Sequence, residues 1–503
     1  MNPEDIQVET SSSIKQLDAN DLEAPKTPPS DRFAQRANSQ KDITINLVTD
    51  NQESNPFAEK VTTDDKPFVS EPTNESTTVS STIDSADKLN DKLGKSDSVS
   101  NVFSPKARLN PVPAVLLPIH YQLPTRRWVD SSVFYDLPYL DNMANVIAKV
   151  YPNNSQRPKR AIKTVEQAVD TPDPYATLVN SNSWRSVALL ARNDIIACHP
   201  ANVDELMRLY YIRWSSMIKL RLYDIVQGEM DKLRVNDSQD LFFEKYPDVF
   251  EGRKGLMISF DVLVLIHKLP SYKKNIHESI HRFYKLLCPQ KPTDFRPTKE
   301  QHIRILFHII NLLIQIPDIS LAIQVMKSML EEFKSNPDMW SMLGRLQLQI
   351  GELSSAIHSF HQVEVILGIT SPDSEPLAQP LLDQFPRPDL VLFQRGVIFL
   401  AKDLTSEAIN MFTQLITILP DSSAAMNNLS IAQLYSGNVS QAASFLESFI
   451  VSNPAVSAKY PNLVFNLSSM YDLTDSSLSK KKALIQVITK GCGDHFDSDY
   501  LKL

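Results

Sequence analysis

Residues 337–360 read PDMWSMLGRLQLQIGELSSAIHSF. Trp340 is followed three residues later by Leu343-Gly344, and Ala356 and Phe360 follow at the spacing of a second helix. A small residue at the crossing point lets two helices approach closely, and an apolar residue four positions later fills the space between them. The stretch therefore predicts a helix–turn–helix unit. Such a unit cannot bury its apolar face alone and has to stack against a neighbour.

The same pattern recurs with a period of 34 residues on both sides of this stretch, interrupted once by the 18 residues 371–388. Ala322 lies 34 residues before Ala356. Two later units show the same correspondence. The first contains Gly396, Ala408, Phe412 and Pro420, and 34 residues later the second contains Ser430, Ala442, Leu446 and Pro454. This period and these residues are typical of the tetratricopeptide repeat (TPR). We therefore predict an all-α fold, a TPR-type α-solenoid of stacked helix pairs, with regular repeats at 303–336, 337–370, 389–422 and 423–456.

Composition divides the chain of 503 residues into segments. Residues 1–110 contain 25 Ser or Thr, no Trp or Tyr, and 19 acidic against 12 basic residues. So few large apolar groups cannot offset the entropy lost on ordering, and we predict a long disordered acidic tail. The predicted segments that follow are a Pro-rich lead-in and linker (111–180), degenerate helical repeats (181–300), the TPR solenoid (301–490, with a loop insertion at 371–388) and a C-terminal tail (491–503).

The apolar part of the lead-in, about residues 110–140, allows two interpretations. It is either an ordered cover on the first helices of the solenoid or an extended segment that docks in a groove, because dense prolines exclude a long helix.

Charge and composition exclude several classes of function. The net charge is −8, and the tail accounts for −7 of it, so the remainder has no basic surplus for nucleic-acid binding. The three cysteines, Cys198, Cys288 and Cys492, are far apart, which suits a reducing compartment and offers no metal-ligand spacing. No apolar stretch has the length of a membrane span, and none of the 11 glycines forms a phosphate-binding loop. We expect a cytoplasmic, non-enzymatic protein with no cofactor and no direct membrane insertion.

One short motif points to chemistry. His277-Glu278-Ser279-Ile280-His281 matches H-E-x-x-H, in which two histidines of a helix bind zinc and the glutamate acts as general base. A catalytic zinc also needs a third protein ligand, and no suitable residue follows at the required spacing. We expect histidines without a metal, and a zinc metalloprotease using residues 277–281 remains the alternative.

The first helix of each TPR pair lines the concave face, with residues two, five, nine and twelve of the unit directed into it. In the units 389–422 and 423–456 these eight residues are Leu390, Phe393, Val397, Leu400, Ala424, Asn427, Ile431 and Leu434. All of them except Asn427 are apolar. Apolar side chains on an open face favour partner binding. The alternative is a cover from within the chain, either the loop insertion, with Leu381, Leu382 and Phe385, or the lead-in around Leu116-Leu117.

The inner positions also bear on a co-chaperone function. A TPR co-chaperone would hold the C-terminal carboxylate of a chaperone with Lys and Asn side chains at such positions. The preceding unit has Ser341 and Arg345 instead, so the clamp is absent.

Two stretches carry a more specific resemblance. One is DLFFEKYPDVF at 240–250, followed by Gly252-Arg253-Lys254-Gly255; the other is LVFNLSSMYDL at 463–473, followed by KKKAL at 480–484 and the terminal YLKL at 500–503. Both resemble the TPR-containing twelfth subunit of the transport protein particle (TRAPP) complex, and the likeness covers about residues 180–503.

The resemblance implies a non-catalytic scaffold or adaptor subunit of a TRAPP III-type complex, which tethers vesicles and exchanges nucleotide on a Rab GTPase in ER-to-Golgi transport and autophagy. It implies contact with other TRAPP subunits, in particular the large arm subunits, an indirect link to the Rab GTPase, and peripheral association with ER–Golgi or Golgi membranes. A TPR adaptor or co-chaperone of another multiprotein complex is the alternative.

Asn55-Pro56-Phe57 in the tail resembles the tripeptide that Eps15-homology domains bind, with coincidence as the alternative.

Overall fold

The computed structural model describes residues 123–139, 141–235, 240–289, 295–316, 318–369, 387–474 and 477–503. The predicted tail, the Asn55-Pro56-Phe57 motif and nearly all of the predicted loop insertion lie outside these residues. The described residues are α-helices joined by turns, without a β-strand among them; one isolated antiparallel bridge joins Phe242 and Leu256. The predicted all-α solenoid of helix pairs is confirmed.

The helices fall into three groups along the chain. Those before the regular repeats are α1 (Thr125–Trp128), α2 (Asn142–Val150), α3 (Val165–Val169), α4 (Pro174–Asn180), α5 (Trp184–Ala197), α6 (Val203–Lys219), α7 (Tyr223–Leu233), α8 (Phe260–Tyr272) and α9 (Ile276–Leu287). The regular pairs are α10 (Lys299–Gln315) with α11 (Ile319–Glu332), α12 (Pro337–Gln349) with α13 (Leu353–Ile366), α14 (Pro388–Ala401) with α15 (Thr405–Ile418), and α16 (Ser423–Tyr435) with α17 (Val439–Ser452). The last helices are α18 (Pro454–Lys459), α19 (Pro461–Tyr471) and α20 (Ser477–Ile488).

Local sequence explains where the regular helices begin. Thr298 and Gln301 form a capping box at the start of α10, and the Asn336 side chain accepts hydrogen bonds from the first turn of α12, with Pro337 at its first position. Caps satisfy backbone N–H groups that have no partner inside the helix, and proline fits the first position because it lacks an N–H. These local signals fix the residues at which the first helices of these units begin.

The small residues of the repeat lie where the paired helices touch. Ala322, Ala356, Ala408 and Ala442 are fully buried. A methyl group at Gly344 would overlap Phe360 Cε1, and one at Gly396 would lie 2.7 Å from Phe412 Cε1. Because carbon atoms cannot approach so closely, only glycine allows these aromatic rings to pack against the facing helix.

The described part of the lead-in covers the early helices. Trp128, Val133 and Leu137 are buried in the same apolar cluster as α6 and α7, and Tyr210 Oη of α6 donates a hydrogen bond to the Trp128 carbonyl oxygen. Residues 123–139 therefore lie as an ordered cover on the solenoid, which is one of the two interpretations of this segment.

The last residues pack against an early part of the chain. Asp494 accepts hydrogen bonds from the backbone N–H groups of Trp184 (3.1 Å) and Arg185 (2.8 Å), at the start of α5. Cys492 and Phe496 are buried in the apolar cluster of α19 and α20, together with Met143 and Ile147 of α2. A carboxylate at a helix N-terminus is stabilised by the free N–H groups there. The segment 491–503, which we predicted as a tail, thus packs the final helix pair against α2 and the start of α5.

Candidate partner-binding groove

The first helices of the units, α12, α14 and α16, carry the inner positions of the repeat, and we call the residues at these positions the inner row. The residues predicted to bind a partner are those on α14 and α16. Leu348 at the end of α12 packs against the apolar cluster of α14 and α15, which also includes Phe393 and Leu400. The inner rows of α12 and α14 are therefore adjacent, as expected for stacked repeats.

The structure divides the predicted inner row by accessibility. Leu390, Phe393, Leu400, Ala424 and Leu434 are half-buried. The other three are nearly inaccessible, with 8% of Val397, 1% of Asn427 and 2% of Ile431 exposed.

Contacts within the chain account for part of this burial. The Phe393 ring packs edge-on against the Phe412 ring of α15, with 6.3 Å between the ring centroids. Asn427 Oδ1 accepts a hydrogen bond of 2.7 Å from Asn466 Nδ2. Partner binding by this row stays a prediction, and the half-buried residues are the ones with surface left to offer.

The α12 part of the inner row is polar, and the sequence pattern did not mark it as a binding surface. Only 1% of Ser341 is exposed, and its Oγ has no hydrogen-bond partner among the described residues. One turn later, Arg345 is half-buried and uses its Nε–H for a long hydrogen bond of 3.4 Å to the Ser341 carbonyl oxygen. Burial lowers the pKa of Arg345 to about 10, although nearby Asp338 opposes this shift. A guanidinium with a lowered pKa is short of favourable charge contacts.

A second polar group lies between α13 and α14, where a cleft opens. Its walls include Phe360, His361 and Ile398. Arg395 Nε donates a hydrogen bond of 2.8 Å to Glu364 Oε1, and both side chains are buried. Gln394 is 2% exposed, and neither its amide nitrogen nor its amide oxygen has a partner among the described residues. Polar contacts thus add to the apolar ones that join the regular repeats here.

The zinc-like motif lies on the outer side of α9. His277 and His281 are exposed, and the Glu278 carboxylate accepts a hydrogen bond of 2.8 Å from Arg282 Nε, which lowers the pKa of Glu278. Phe283 provides the buried face of this helix. Within the part of the chain that the structure describes, there is no group of three or more His, Cys, Asp or Glu side chains placed to hold a metal ion.

None of the described helices combines the length and the apolar character needed to cross a membrane.

Comparison with known sequences gives one consistent result. The chain is 25% identical over 362 residues to human "Trafficking protein particle complex subunit 12", which covers 65% of this chain and 47% of the relative. The mouse protein of the same name is 24% identical over 362 residues, with 65% and 44% covered. The chain therefore resembles the twelfth TRAPP subunit, and it spans about half the length of the curated relatives it matches. No protein-family model matches.

Solved structures share only low similarity with this chain. A tetratricopeptide repeat protein from Parabacteroides merdae has a TM-score of 0.32 and 10% identity, covering 56% of this chain and 97% of that one. The Cut9-Hcn1 hetero-tetramer of APC/C gives a TM-score of 0.30 and 13% identity, covering 65% and 53%.

Proposed function

We propose that this chain is a non-catalytic scaffold subunit that assembles with other subunits of a TRAPP complex. The observation that carries the proposal is the 25% identity over 362 residues to a human subunit of that complex. Stacked helix pairs support the same role, because their extended inner faces are suited to binding other proteins.

The finer part of the proposal concerns the complex. It is of the TRAPP III type, it tethers vesicles and exchanges nucleotide on a Rab GTPase, and it acts in ER-to-Golgi transport and autophagy. In this proposal the exchange reaction belongs to other subunits, and the present chain reaches ER–Golgi membranes only through its partners.

The inner row supplies the contact with the large arm subunits in this proposal. Leu390 and Leu400 lie on α14 with part of their apolar surface accessible, and Leu434 adds a similar surface on α16. A partner helix or extended segment would cover them, and each large apolar side chain fully buried contributes about 1.5–3 kcal/mol.

Affinity purification of the tagged full-length chain tests the assembly. We expect TRAPP subunits to co-purify in equal amounts, as identified and quantified by mass spectrometry. A preparation that contains no TRAPP subunit would refute the proposed function.

A double substitution, Leu390→Asp with Leu400→Asp, then tests the surface. We expect loss of the co-purifying subunits while the isolated variant keeps its helical circular dichroism and its melting temperature within a few degrees. Val451→Asp on α17 is the matched control, because Val451 is 55% exposed on a second helix. If the double variant melts far below wild type on its own, the row is a core of this chain and does not bind a partner.

A further inference from the structure

Arg345 differs from most of the arginines that the fold covers. Five arginines of the described chain that are buried or partly buried each meet a carboxylate: Arg160 with Asp141, Arg213 with Glu229, Arg304 with Asp261, Arg387 with Asp338 and Arg395 with Glu364. For Arg345 no carboxylate of the described residues lies within ion-pair distance, and its terminal nitrogens make no hydrogen bond to them.

The nearest acidic residue on the same helix is already engaged. Asp338 lies at the start of α12, and its Oδ1 is 3.4 Å from Arg387 Nη1. Asp338 acts on Arg345 only over a distance. It raises the pKa of Arg345 by less than burial lowers it. A partly desolvated cation without an adjacent anion is unfavourable in the isolated protein, and a carboxylate that binds beside it stabilises it.

The Ser341 hydroxyl lies beside this cation. Ser341 and Arg345 are four residues apart, on the same face of α12, and the Ser341 Oγ is buried without a partner among the described residues. This hydroxyl is inaccessible and uncharged, so it cannot neutralise Arg345. The guanidinium can donate several hydrogen bonds to the two oxygens of one carboxylate.

The polar pair lies next to the apolar part of the inner row. Leu348 follows Arg345 by one turn and packs against the cluster that includes Phe393 and Leu400 of α14. A ligand that reaches Arg345 therefore has apolar surface directly beside its carboxylate. The corresponding inner positions of α14 and α16 are Phe393, Val397, Asn427 and Ile431, none of which is cationic.

We propose that the inner row takes a partner segment carrying an internal Asp or Glu, whose carboxylate pairs with Arg345, while apolar side chains of the segment cover α14. One cation matches one carboxylate, and a segment that continues past its acidic residue can also cover the apolar surface of α14. This inference rests on the proposed use of the inner row for assembly, and it adds the charge that the partner supplies.

Selection from a displayed library of random 15-residue peptides with blocked C-termini tests this chemistry without assuming any partner. The full-length chain is the bait, and the Leu390→Asp, Leu400→Asp variant removes peptides that bind elsewhere. We expect the selected peptides to share one acidic residue next to apolar residues. Selection of peptides without an acidic residue, or of none that depend on the inner row, would overturn the proposal, as would binding that appears only with free C-termini.

A double-mutant cycle then assigns the charge contact. Arg345→Met and replacement of the peptide's acid by its amide should each weaken binding about tenfold or more, and together they should weaken it no further than either alone. Arg282→Met on the outer side of α9 is the matched control and should leave peptide affinity unchanged. Independent, additive losses would show that Arg345 does not contact the acid.

Stability of the isolated chain separates a binding residue from a structural one. Because Arg345 lacks an adjacent anion, Arg345→Met should leave the melting temperature unchanged or raise it. A clear fall would mean that Arg345 supports the fold, which would overturn the proposal. If the double-mutant cycle shows that Arg345 contacts the peptide's acid but the purified material contains no TRAPP subunit, only the proposed function is refuted.

Discussion

The helix pairs before residue 290 and the regular pairs after residue 336 reach dense packing by different means. In the regular pairs one small residue faces one large one, as Gly344 faces Phe360 and Gly396 faces Phe412. The early pairs lack this repeated rule, and individual polar contacts add to their apolar packing. Arg213 donates hydrogen bonds to the Glu229 carboxylate and to the Ala188 carbonyl oxygen, and it links α5, α6 and α7.

This difference shows which kind of packing can be recognised in a single sequence. A rule that repeats every 34 residues leaves several copies of itself in the chain, so chance is easy to exclude. A given buried ion pair has no copies elsewhere in the chain, and nothing in the spacing of its two residues distinguishes it from surface charges. The early pairs are nevertheless built on the same plan, because their turns have the same backbone form. Arg221 and Lys274 have positive φ angles of 60° and 65°, as Gly351 does at 84°.

The largest effect is expected from breaking the buried pair of the early region. Glu229→Ala leaves the fully buried Arg213 guanidinium without its carboxylate, and Trp214 Nε1 and the Tyr135 N–H also lose their acceptor. We expect a loss of about 3–5 kcal/mol in the free energy of unfolding, measured with urea. Glu205→Ala is the control, because its pair with Arg208 is partly exposed and contributes only about 0–1 kcal/mol. Equal losses for the two variants would contradict this account of the early pairs.

The corresponding test of the regular pairs is Gly396→Ala. The new methyl group would meet the Phe412 ring at 2.7 Å, and we expect a loss of about 1–3 kcal/mol from overpacking. The next unit has Ser430 and Leu446 in these places, so a smaller partner should relieve the clash. The double variant with Phe412→Leu should therefore lose less than the sum of the two single losses in urea unfolding. Strict additivity would show that the two residues are not coupled.

Acid should destabilise the helices around α9 selectively. Burial lowers the pKa of His308 to about 3 and that of His267 to about 4, and the Phe283 ring lies 5.6 Å and 5.9 Å from their rings. An unfolded chain, with histidine pKa values near 6.5, binds more protons than the folded one between these values. Stability is therefore lost as the pH falls below 6.5, by roughly 2 kcal/mol per histidine at pH 5.

The variant His308→Phe isolates one share of this loss. Comparing urea unfolding at pH 7 and pH 5, we expect its acid-induced loss to be smaller than that of wild type by roughly 2 kcal/mol. His358→Phe on α13 is the control, because His358 is exposed and should leave the pH dependence unchanged. An unchanged pH dependence in His308→Phe would show that this imidazole is not held neutral by the fold.

A smaller effect is expected where the early turns lack glycine. Lys274 has a φ angle of 65°, a conformation that costs a non-glycine residue energy, so Lys274→Gly should stabilise the chain by about 1 kcal/mol. In the regular region Gly351→Ala should have the opposite sign and a similar size. Thermal unfolding of both variants measures the difference, and a loss of stability in Lys274→Gly would show that its side chain makes a contact worth more than the strain.

No measurable effect is expected from His277→Ala with His281→Ala. Both side chains are exposed, so the free energy of unfolding should change by less than about 0.5 kcal/mol. Atomic emission on the purified protein should find the same zinc content in variant and wild type. Stoichiometric zinc that disappears with the two histidines would restore the metalloprotease interpretation.

Much of the fold could be predicted because the repeat is local. The spacing of Ala356 and Phe360 after Leu343-Gly344 predicts the α12–α13 pair, and the later units follow by the same rule. The candidate site was only partly predictable. The pattern identifies the inner row, but it does not show that Val397 and Ile431 are covered and that Leu390 is not.

The helix pairs, their period and the likeness to a TRAPP subunit can be read from the sequence, because each depends on short stretches of residues close together in the chain. Other features become visible only in the folded chain: residues 123–139 cover α6 and α7, Asp494 meets the start of α5, and Arg345 has no anionic neighbour among the described residues. These features join residues far apart in the chain. Burial and charge pairing depend on everything packed around a group, and no short pattern records them.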